Sequence, residues 1–126
     1  MTYQLHHIHL LCSDLEEMIH FFNEMLGARL VERKKFGTAD GATLDLNGTT
    51  VNLRIAREDE TVLGDNSIPQ YGYNHIGLMV EDVDKAHAEL TAKGYVFSTA
   101  PQNAAQHRIA FFNGPDNITI ELMQRL

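Results

Sequence analysis

An internal repeat constrains this chain more than any other feature of its sequence. The segment from His7 to Leu15 (HIHLLCSDL) aligns with the segment from His75 to Val83 (HIGLMVEDV), and each runs from a histidine to an aspartate seven positions later. A repeat indicates architecture more firmly than local propensity does, because both copies have to form the same unit. The apolar run after each histidine predicts a strand, and each aspartate stands where a helix N-cap accepts hydrogen bonds from the first helical N–H groups.

Both predicted helices end at a glycine. The first spans about 15–26 and stops before Gly27, and the second spans about 83–93 and stops before Gly94. Three short extended segments follow each helix, at about 29–35, 42–46 and 50–55 in the first half and at about 95–98, 108–112 and 118–123 in the second. Each half is therefore a strand, a helix and three strands, which predicts an α+β fold made of two βαβββ modules.

A length of 126 residues is typical of one domain, or of two half-sized units that share one core. Polar and turn-forming residues dominate 57–72, which predicts a linker there. We therefore expect a single domain over 1–126, with module one at about 4–56 and module two at about 73–126.

Alternation along the predicted strands collects polar side chains on one face. His7 and His9 share a face of the first strand, whereas Cys12 points to the opposite, helix-covered face. The last strands of the two halves also align, so that Asn52 and Glu121 hold equivalent places on the face away from the helices.

A pseudo-twofold relation between the halves would bring four equivalent positions into one cleft: His7, His75, Asn52 and Glu121. Two neutral imidazoles and one carboxylate are a sufficient ligand set for a divalent first-row metal, with positions left open for water or substrate. The chain has seven histidines, however, and a histidine on a mixed strand is more often a satisfied or surface residue. Residue types alone leave both interpretations open.

Composition excludes several classes of partner. Seventeen acidic residues against ten basic ones give a formal net charge of −7, without a basic run that could follow phosphates, so nucleic acid is excluded as a partner. No apolar run approaches the roughly 20 residues of a membrane span, and the N-terminus lacks the pattern of a signal peptide. A single cysteine, Cys12, fits a reducing compartment, which predicts a cytoplasmic location.

These features together resemble the vicinal oxygen chelate superfamily, which includes glyoxalase I, thiol transferases of fosfomycin resistance, methylmalonyl-CoA epimerase, extradiol dioxygenases and bleomycin-resistance proteins. The resemblance rests on the paired His-x6-Asp segments, the two βαβββ halves, and the run from Gly114 to Asn117 that leads into Ile120, Glu121 and Leu122. It covers essentially the whole chain. It implies that the two sheets are mixed and curved, carry helices on their outer faces, and enclose a cleft that is the default site.

The resemblance also implies a metal site. Metal-dependent members take one ligand from the first strand of each half and one from the last, which corresponds to His7, His75 and Glu121, with Asn52 at the fourth position. Members similar to glyoxalase I commonly carry glutamate or glutamine there. An amide oxygen is a weak ligand and takes no proton at neutral pH, so Asn52 argues against acid–base catalysis by two carboxylates.

The function implied is that of a metal-dependent lyase or isomerase of the glyoxalase type. A metal ion (Ni, Co, Zn, Mn or Fe) would chelate two vicinal oxygens of a small substrate and stabilise an enediolate or similar oxyanion. Glu121 would be the catalytic residue that moves a proton. Members of this size usually build the cleft in a homodimer, and we expect one here.

Two other functions fit the same residues. An extradiol-type dioxygenase would use His7, His75 and Glu121 as a facial triad for Fe(II), and Asn52 does not argue against it. A metal-free binding module similar to bleomycin-resistance proteins needs no such triad, so the presence of all three ligands weighs against it.

Other residues are weaker candidates for the site. Arg54 shares a face with Asn52 and could hold a carboxylate or phosphate through its bidentate fork. His9 could contact substrate or support a ligand, and Asn52 itself could be a weak ligand or a substrate contact. Cys12 is expected to be a buried, unreactive thiol.

Overall fold

A computed structural model describes residues 1–61 and 71–126. The chain divides into two units, Met1–Val62 and Leu63–Leu126. The predicted linker, 57–72, contains residues 62–70, which lie outside the described ranges. That the two modules form a single domain stays a prediction.

The first unit is a mixed four-stranded sheet with one helix. Its elements are β1 (His7–Cys12), α1 (Leu15–His20), a π-helical turn (Phe21–Met25), β2 (Arg29–Phe36), β3 (Ala39–Leu46) and β4 (Thr49–Ile55). The sheet order is β1-β4-β3-β2, in which β1 and β4 are parallel and the other pairs are antiparallel.

The second unit repeats this topology. Its elements are β5 (Ile76–Met79), α2 (Val83–Ala92), β6 (Phe97–Ala104), β7 (His107–Asn113), a short 3₁₀ turn (Pro115–Asn117) and β8 (Thr119–Arg125). The order β5-β8-β7-β6 again pairs the first and last strands in parallel. The two predicted βαβββ modules are therefore confirmed.

The strand registers reproduce the repeat residue by residue. His9 pairs with Asn52 across β1 and β4, and Gly77 pairs with Glu121 across β5 and β8. Asn52 and Glu121 therefore hold equivalent places in their sheets, as predicted.

The buried face of each sheet is the apolar one. Val51, Leu53, Ile120 and Leu122, at alternate positions of β4 and β8, are at most 2% exposed. Alternation along these strands leaves Asn52 and Glu121 on the opposite, open face. Burial of the apolar set is the main force that holds the register, because a slip of one residue would expose all of it.

Both α-helices begin at the predicted aspartate. The Asp14 carboxylate accepts a hydrogen bond from the Glu17 N–H at 3.1 Å, and the Asp82 carboxylate accepts one from the Lys85 N–H at 3.0 Å. Each carboxylate satisfies a donor that lacks an intrahelical partner.

The first helix departs from the continuous α-helix predicted over 15–26. After His20 the chain widens into a π-helical turn, in which the Leu26 N–H donates to the Phe21 carbonyl at 3.1 Å. Phe21 and Phe22 are both essentially fully buried. The extra residue in this turn allows two consecutive rings to enter the core, which a regular α-helix disfavours.

Two strands differ most from their predicted lengths. β3 begins at Ala39 rather than at about 42, and β6 spans Phe97–Ala104 rather than about 95–98. Pro101 lies within β6, and a proline is tolerated there because β6 is an edge strand with register shifts. In the described stretches of the chain, none of the helices combines the length and the apolar character that crossing a bilayer demands.

Candidate metal centre

His75 and Glu121 meet on the open face of the second sheet. His75 directly precedes β5, and the parallel pairing of β5 with β8 places the Glu121 carboxylate beside its ring, with Oε2 3.0 Å from His75 Nε2. The Glu121 side chain is only 15% exposed. The Phe111 ring packs edge-on against the His75 imidazole at a centroid distance of 5.3 Å.

A second contact orients the imidazole. Nδ1 of His75 lies 2.8 Å from Oδ1 of Asn74. When Nδ1 carries the proton and donates to this amide oxygen, Nε2 of the neutral ring presents a lone pair. In that tautomer a metal ion could bridge the Nε2 lone pair and the carboxylate oxygen, whereas in the other neutral tautomer the Nε2–H donates directly to Glu121.

The donor set fits a divalent metal. A neutral imidazole nitrogen, a carboxylate oxygen and an outer amide that fixes the ring are the usual parts of such a site. Among residues 1–61 and 71–126, no three His, Cys, Asp or Glu side chains form a group that could hold a metal. Within the described part of the chain, the second unit thus brings together two candidate ligands, His75 and Glu121.

The third predicted ligand, His7, belongs to the other unit. It begins β1 on the exposed face and its Nδ1 lies 2.9 Å from Nδ1 of His6. Its participation in the site stays a prediction.

Asn52 has a partner within its own sheet. Thr43, its register partner on β3, donates a hydrogen bond from Oγ1 to Asn52 Oδ1 at 2.8 Å. The amide oxygen that would bind a metal or substrate therefore already accepts one bond.

Comparison with known proteins places these features in a family. A family model described as the glyoxalase/bleomycin resistance protein/dioxygenase superfamily matches residues 4–122. The chain belongs to this superfamily. Lactoylglutathione lyase of Schizosaccharomyces pombe is 27% identical over 98% of the chain, and glyoxalase I of Saccharomyces cerevisiae is 28% identical over 97%. The chain spans 48% and 45% of the length of these two relatives.

Solved structures agree with the superfamily assignment. A glyoxylase/bleomycin resistance protein/dioxygenase domain from Frankia sp. EAN1pec superposes with a TM-score of 0.82 at 25% identity, with all of both chains covered. The fosfomycin resistance protein FosX of Listeria monocytogenes, solved with Mn(II) and a sulfate ion, has a TM-score of 0.77 at 20% identity and covers all of this chain and 95% of its own. The fold predicted from the sequence is thus confirmed as that of the vicinal oxygen chelate superfamily.

Arg54, predicted as a substrate contact, has an internal partner. Its two terminal nitrogens each lie 2.7 Å from a carboxylate oxygen of Glu60, and the two side chains are only 13% and 24% exposed. The Arg57 N–H also donates to Glu60. Sequence reasoning missed Glu60, because it lies in a run of charged residues that is typical of a solvated linker.

The ion pair determines the charge of Glu60. Hydrogen bonds from Arg54 and from the Arg57 backbone lower the pKa of Glu60 from its ordinary value of 4.5 to about 2. A carboxyl group with a lowered pKa in the folded state stabilises the fold above its unfolded pKa, and this stabilisation is lost as the pH falls toward the folded pKa.

Glu60→Gln should therefore flatten the acid dependence of stability. We expect the free energy of unfolding, measured by urea denaturation at pH 7 and at pH 3, to fall less in the variant than in the wild type. Glu58→Gln is the matched control, since Glu58 is an exposed carboxylate two residues away, and it should retain the wild-type difference. Equal pH differences in the wild type and in Glu60→Gln would contradict the assignment.

His9 packs against an aromatic ring. Its imidazole contacts Phe36 edge-on at a centroid distance of 4.8 Å. Burial, together with the positive charges of Arg54 and His7, lowers the pKa of His9. Its predicted role as a substrate contact is untested, and Cys12 is fully buried as expected.

Proposed function

We propose that the protein is a divalent-metal-dependent lyase or isomerase of the glyoxalase type, acting on a small substrate with two vicinal oxygens. The observation that carries this proposal is the contact between His75 Nε2 and Glu121 Oε2, with His75 oriented by Asn74. His75, Glu121 and His7 would hold the metal. When bound, it supplies a Lewis acid that polarises a carbonyl and stabilises negative charge on neighbouring oxygens.

Glu121 is proposed to move the proton. It is the carboxylate of the pair, and its equivalent in the other sheet is Asn52, whose amide takes no proton at neutral pH. One carboxylate must then remove a proton from a carbon of the substrate and return it to the neighbouring atom. The limited exposure of Glu121 favours this role, because reduced solvation strengthens its interactions with charge that develops nearby.

The names of two relatives support a lyase over an oxygenase. Lactoylglutathione lyase and glyoxalase I are each similar to nearly the whole of this chain. Their substrate is accordingly the first to test. The homodimer and the cytoplasmic location stay predictions from the sequence, which leaves the identity of the divalent metal open among Ni, Co, Zn, Mn and Fe.

Two probes test the reaction class. Protein loaded in turn with Ni²⁺, Co²⁺, Zn²⁺ or Mn²⁺ would be mixed with methylglyoxal and glutathione under argon, and thioester formation followed by ultraviolet absorbance. Exchange of the carbon-bound hydrogens of hydroxyacetone with D₂O, followed by NMR, reports proton movement on a simpler vicinal-oxygen compound. We expect at least one of the two activities, dependent on metal and independent of oxygen. Activity that appears only with Fe(II) and oxygen, or with no metal at all, would contradict the proposal.

A further inference from the structure

The residue that precedes the repeat histidine contacts that histidine in both modules. Nδ1 of His7 lies 2.9 Å from Nδ1 of His6, and Nδ1 of His75 lies 2.8 Å from Oδ1 of Asn74. His6 and Asn74 hold equivalent places in the repeat, each directly before the histidine with which the aligned segment begins. The two modules thus share a contact although they use different residue types for it.

This contact does not follow from strand geometry alone. Neighbouring side chains in a regular strand point to opposite faces, so they do not normally meet. His6 lies directly before β1, and Asn74 lies two residues before β5, where no ladder imposes this alternation. Both side chains are exposed, so burial in a core does not force them against the histidines either. The presence of the same contact in both copies of the repeat indicates a shared role.

The contact determines which ring nitrogen stays available. In a histidine side chain Nδ1 is the nitrogen nearer the backbone, and Nε2 is at the far tip of the ring. When the preceding side chain holds Nδ1, Nε2 is the nitrogen that is left to bind a metal. His75 has this arrangement, since Asn74 holds its Nδ1 and its Nε2 lies 3.0 Å from Glu121 Oε2.

The two preceding residues hold their histidines in different ways. The Asn74 amide oxygen only accepts hydrogen bonds, so it favours the tautomer of His75 that carries a proton on Nδ1. Nδ1 of His6 accepts in one tautomer and donates in the other, so it allows both tautomers of His7. An amide in place of His6 would therefore favour the metal-binding tautomer more strongly than His6 does.

We propose that His6 and Asn74 are positioning residues, which hold His7 and His75 so that each binds a divalent metal through Nε2. This inference rests on the proposed function, because it concerns the ligands of the same metal centre. Hydrogen-bond partners of metal-binding histidines fix the tautomer and the direction of the ring, and their loss typically lowers metal affinity about 10- to 100-fold. Neither residue would touch the metal or the substrate.

The affinity for Zn²⁺, measured by competition with a chromophoric chelator, tests the proposal. His6→Ala and Asn74→Ala should each bind Zn²⁺ about 10- to 100-fold more weakly than the wild type. His6→Asn should bind Zn²⁺ at least as tightly as the wild type, because it gives module one the accepting amide of module two. Gln4→Ala is the matched control, since Gln4 is an exposed polar residue of the same segment before β1, and it should leave the affinity unchanged.

Nitrogen NMR adds a readout that a merely structural role would not change. In zinc-loaded protein with ¹⁵N-labelled histidine, long-range ¹H–¹⁵N correlations should show zinc on Nε2 and a proton on Nδ1 for both His7 and His75. That Nδ1 proton should exchange with water faster when the preceding residue is replaced by alanine. Zinc on Nδ1 of either histidine would overturn the proposal.

The outcomes separate this inference from the proposed function. Unchanged affinity in His6→Ala or Asn74→Ala, with loss of zinc on replacement of the histidine it contacts, would overturn that positioning role and leave the proposed function standing. Wild-type affinity in His7→Ala would overturn the role of His6 together with the place of His7 in the centre. The expected zinc affinities without either enzymatic reaction would overturn the proposed function and leave the positioning roles standing. Absence of zinc binding to the wild type would overturn both.

Discussion

Glu121→Gln should lower kcat/KM of the metal-loaded protein by about 1,000-fold or more, measured with whichever of the two reaction probes the wild type turns over. Loss of a positioned general base alone costs about 10²- to 10⁴-fold. Glutamine also replaces an anionic ligand with a neutral amide, which weakens the metal site. The variant should fold normally, because glutamine matches glutamate in size and its amide can donate to His75 Nε2.

Metal content separates the two contributions of Glu121. In protein purified without an affinity tag, plasma mass spectrometry should find near-stoichiometric metal in the wild type and almost none in His75→Ala. Glu121→Gln should retain partial occupancy at high metal concentration and yet stay inactive, because its amide cannot accept the proton. His20→Ala, which removes an exposed histidine at the end of α1, should keep both metal and activity.

Full activity in Glu121→Gln would remove this residue from catalysis. Full metal content in His75→Ala would place the metal elsewhere. These two results are independent, so the catalytic role of Glu121 and the composition of the metal centre can fail separately.

The parts of the site that can be predicted from the sequence are those that periodicity controls. The repeat and the alternation of side chains along strands are local properties, and they suffice to assign Asn52 and Glu121 to equivalent registers. The same alternation correctly assigns Cys12 to the buried face. None of these assignments needs information about contacts between residues that are distant in the chain.

Contacts and local geometry that depend on tertiary packing are not predictable in this way. Glu60 binds the Arg54 fork from a segment whose composition is typical of solvent exposure. The π-helical turn accompanies the entry of two adjacent phenylalanines, Phe21 and Phe22, into the core, whereas the sequence predicted a continuous α-helix over 15–26. In each case tertiary packing overrides a local pattern that indicated something simpler.

Substitution of Gly41 is expected to cause a large loss of stability, because other atoms of the first sheet pack closely around it. Gly41→Ala should destabilise the protein by about 3 kcal/mol, because a Cβ at this position would overlap the Leu53 carbonyl oxygen and lie 2.6 Å from Phe36 Cδ2. Moving the Leu53 backbone would cost free energy because β4 is paired on both sides, and the Phe36 ring is held against His9. Urea denaturation measures the loss. Displacement of Phe36 should also open the covered face of the partly exposed His9 ring to water and raise its pKa toward the ordinary value, which an NMR titration would detect.

Gly77→Ala is the matched control for this substitution. The Cβ of an alanine at position 77 would meet no atom closer than 3.6 Å, which is ordinary van der Waals contact. Alanine also has less conformational freedom than glycine in the unfolded chain, so less entropy is lost on folding. We therefore expect a change within about 0.5 kcal/mol, or a small gain in stability. Similar losses in both variants would show that glycine in a strand, rather than close packing at Gly41, determines the effect. A loss confined to Gly41→Ala, accompanied by a higher His9 pKa, would show that close packing of Phe36 and the Leu53 backbone requires glycine at position 41, and that Phe36 also shields one face of the His9 ring.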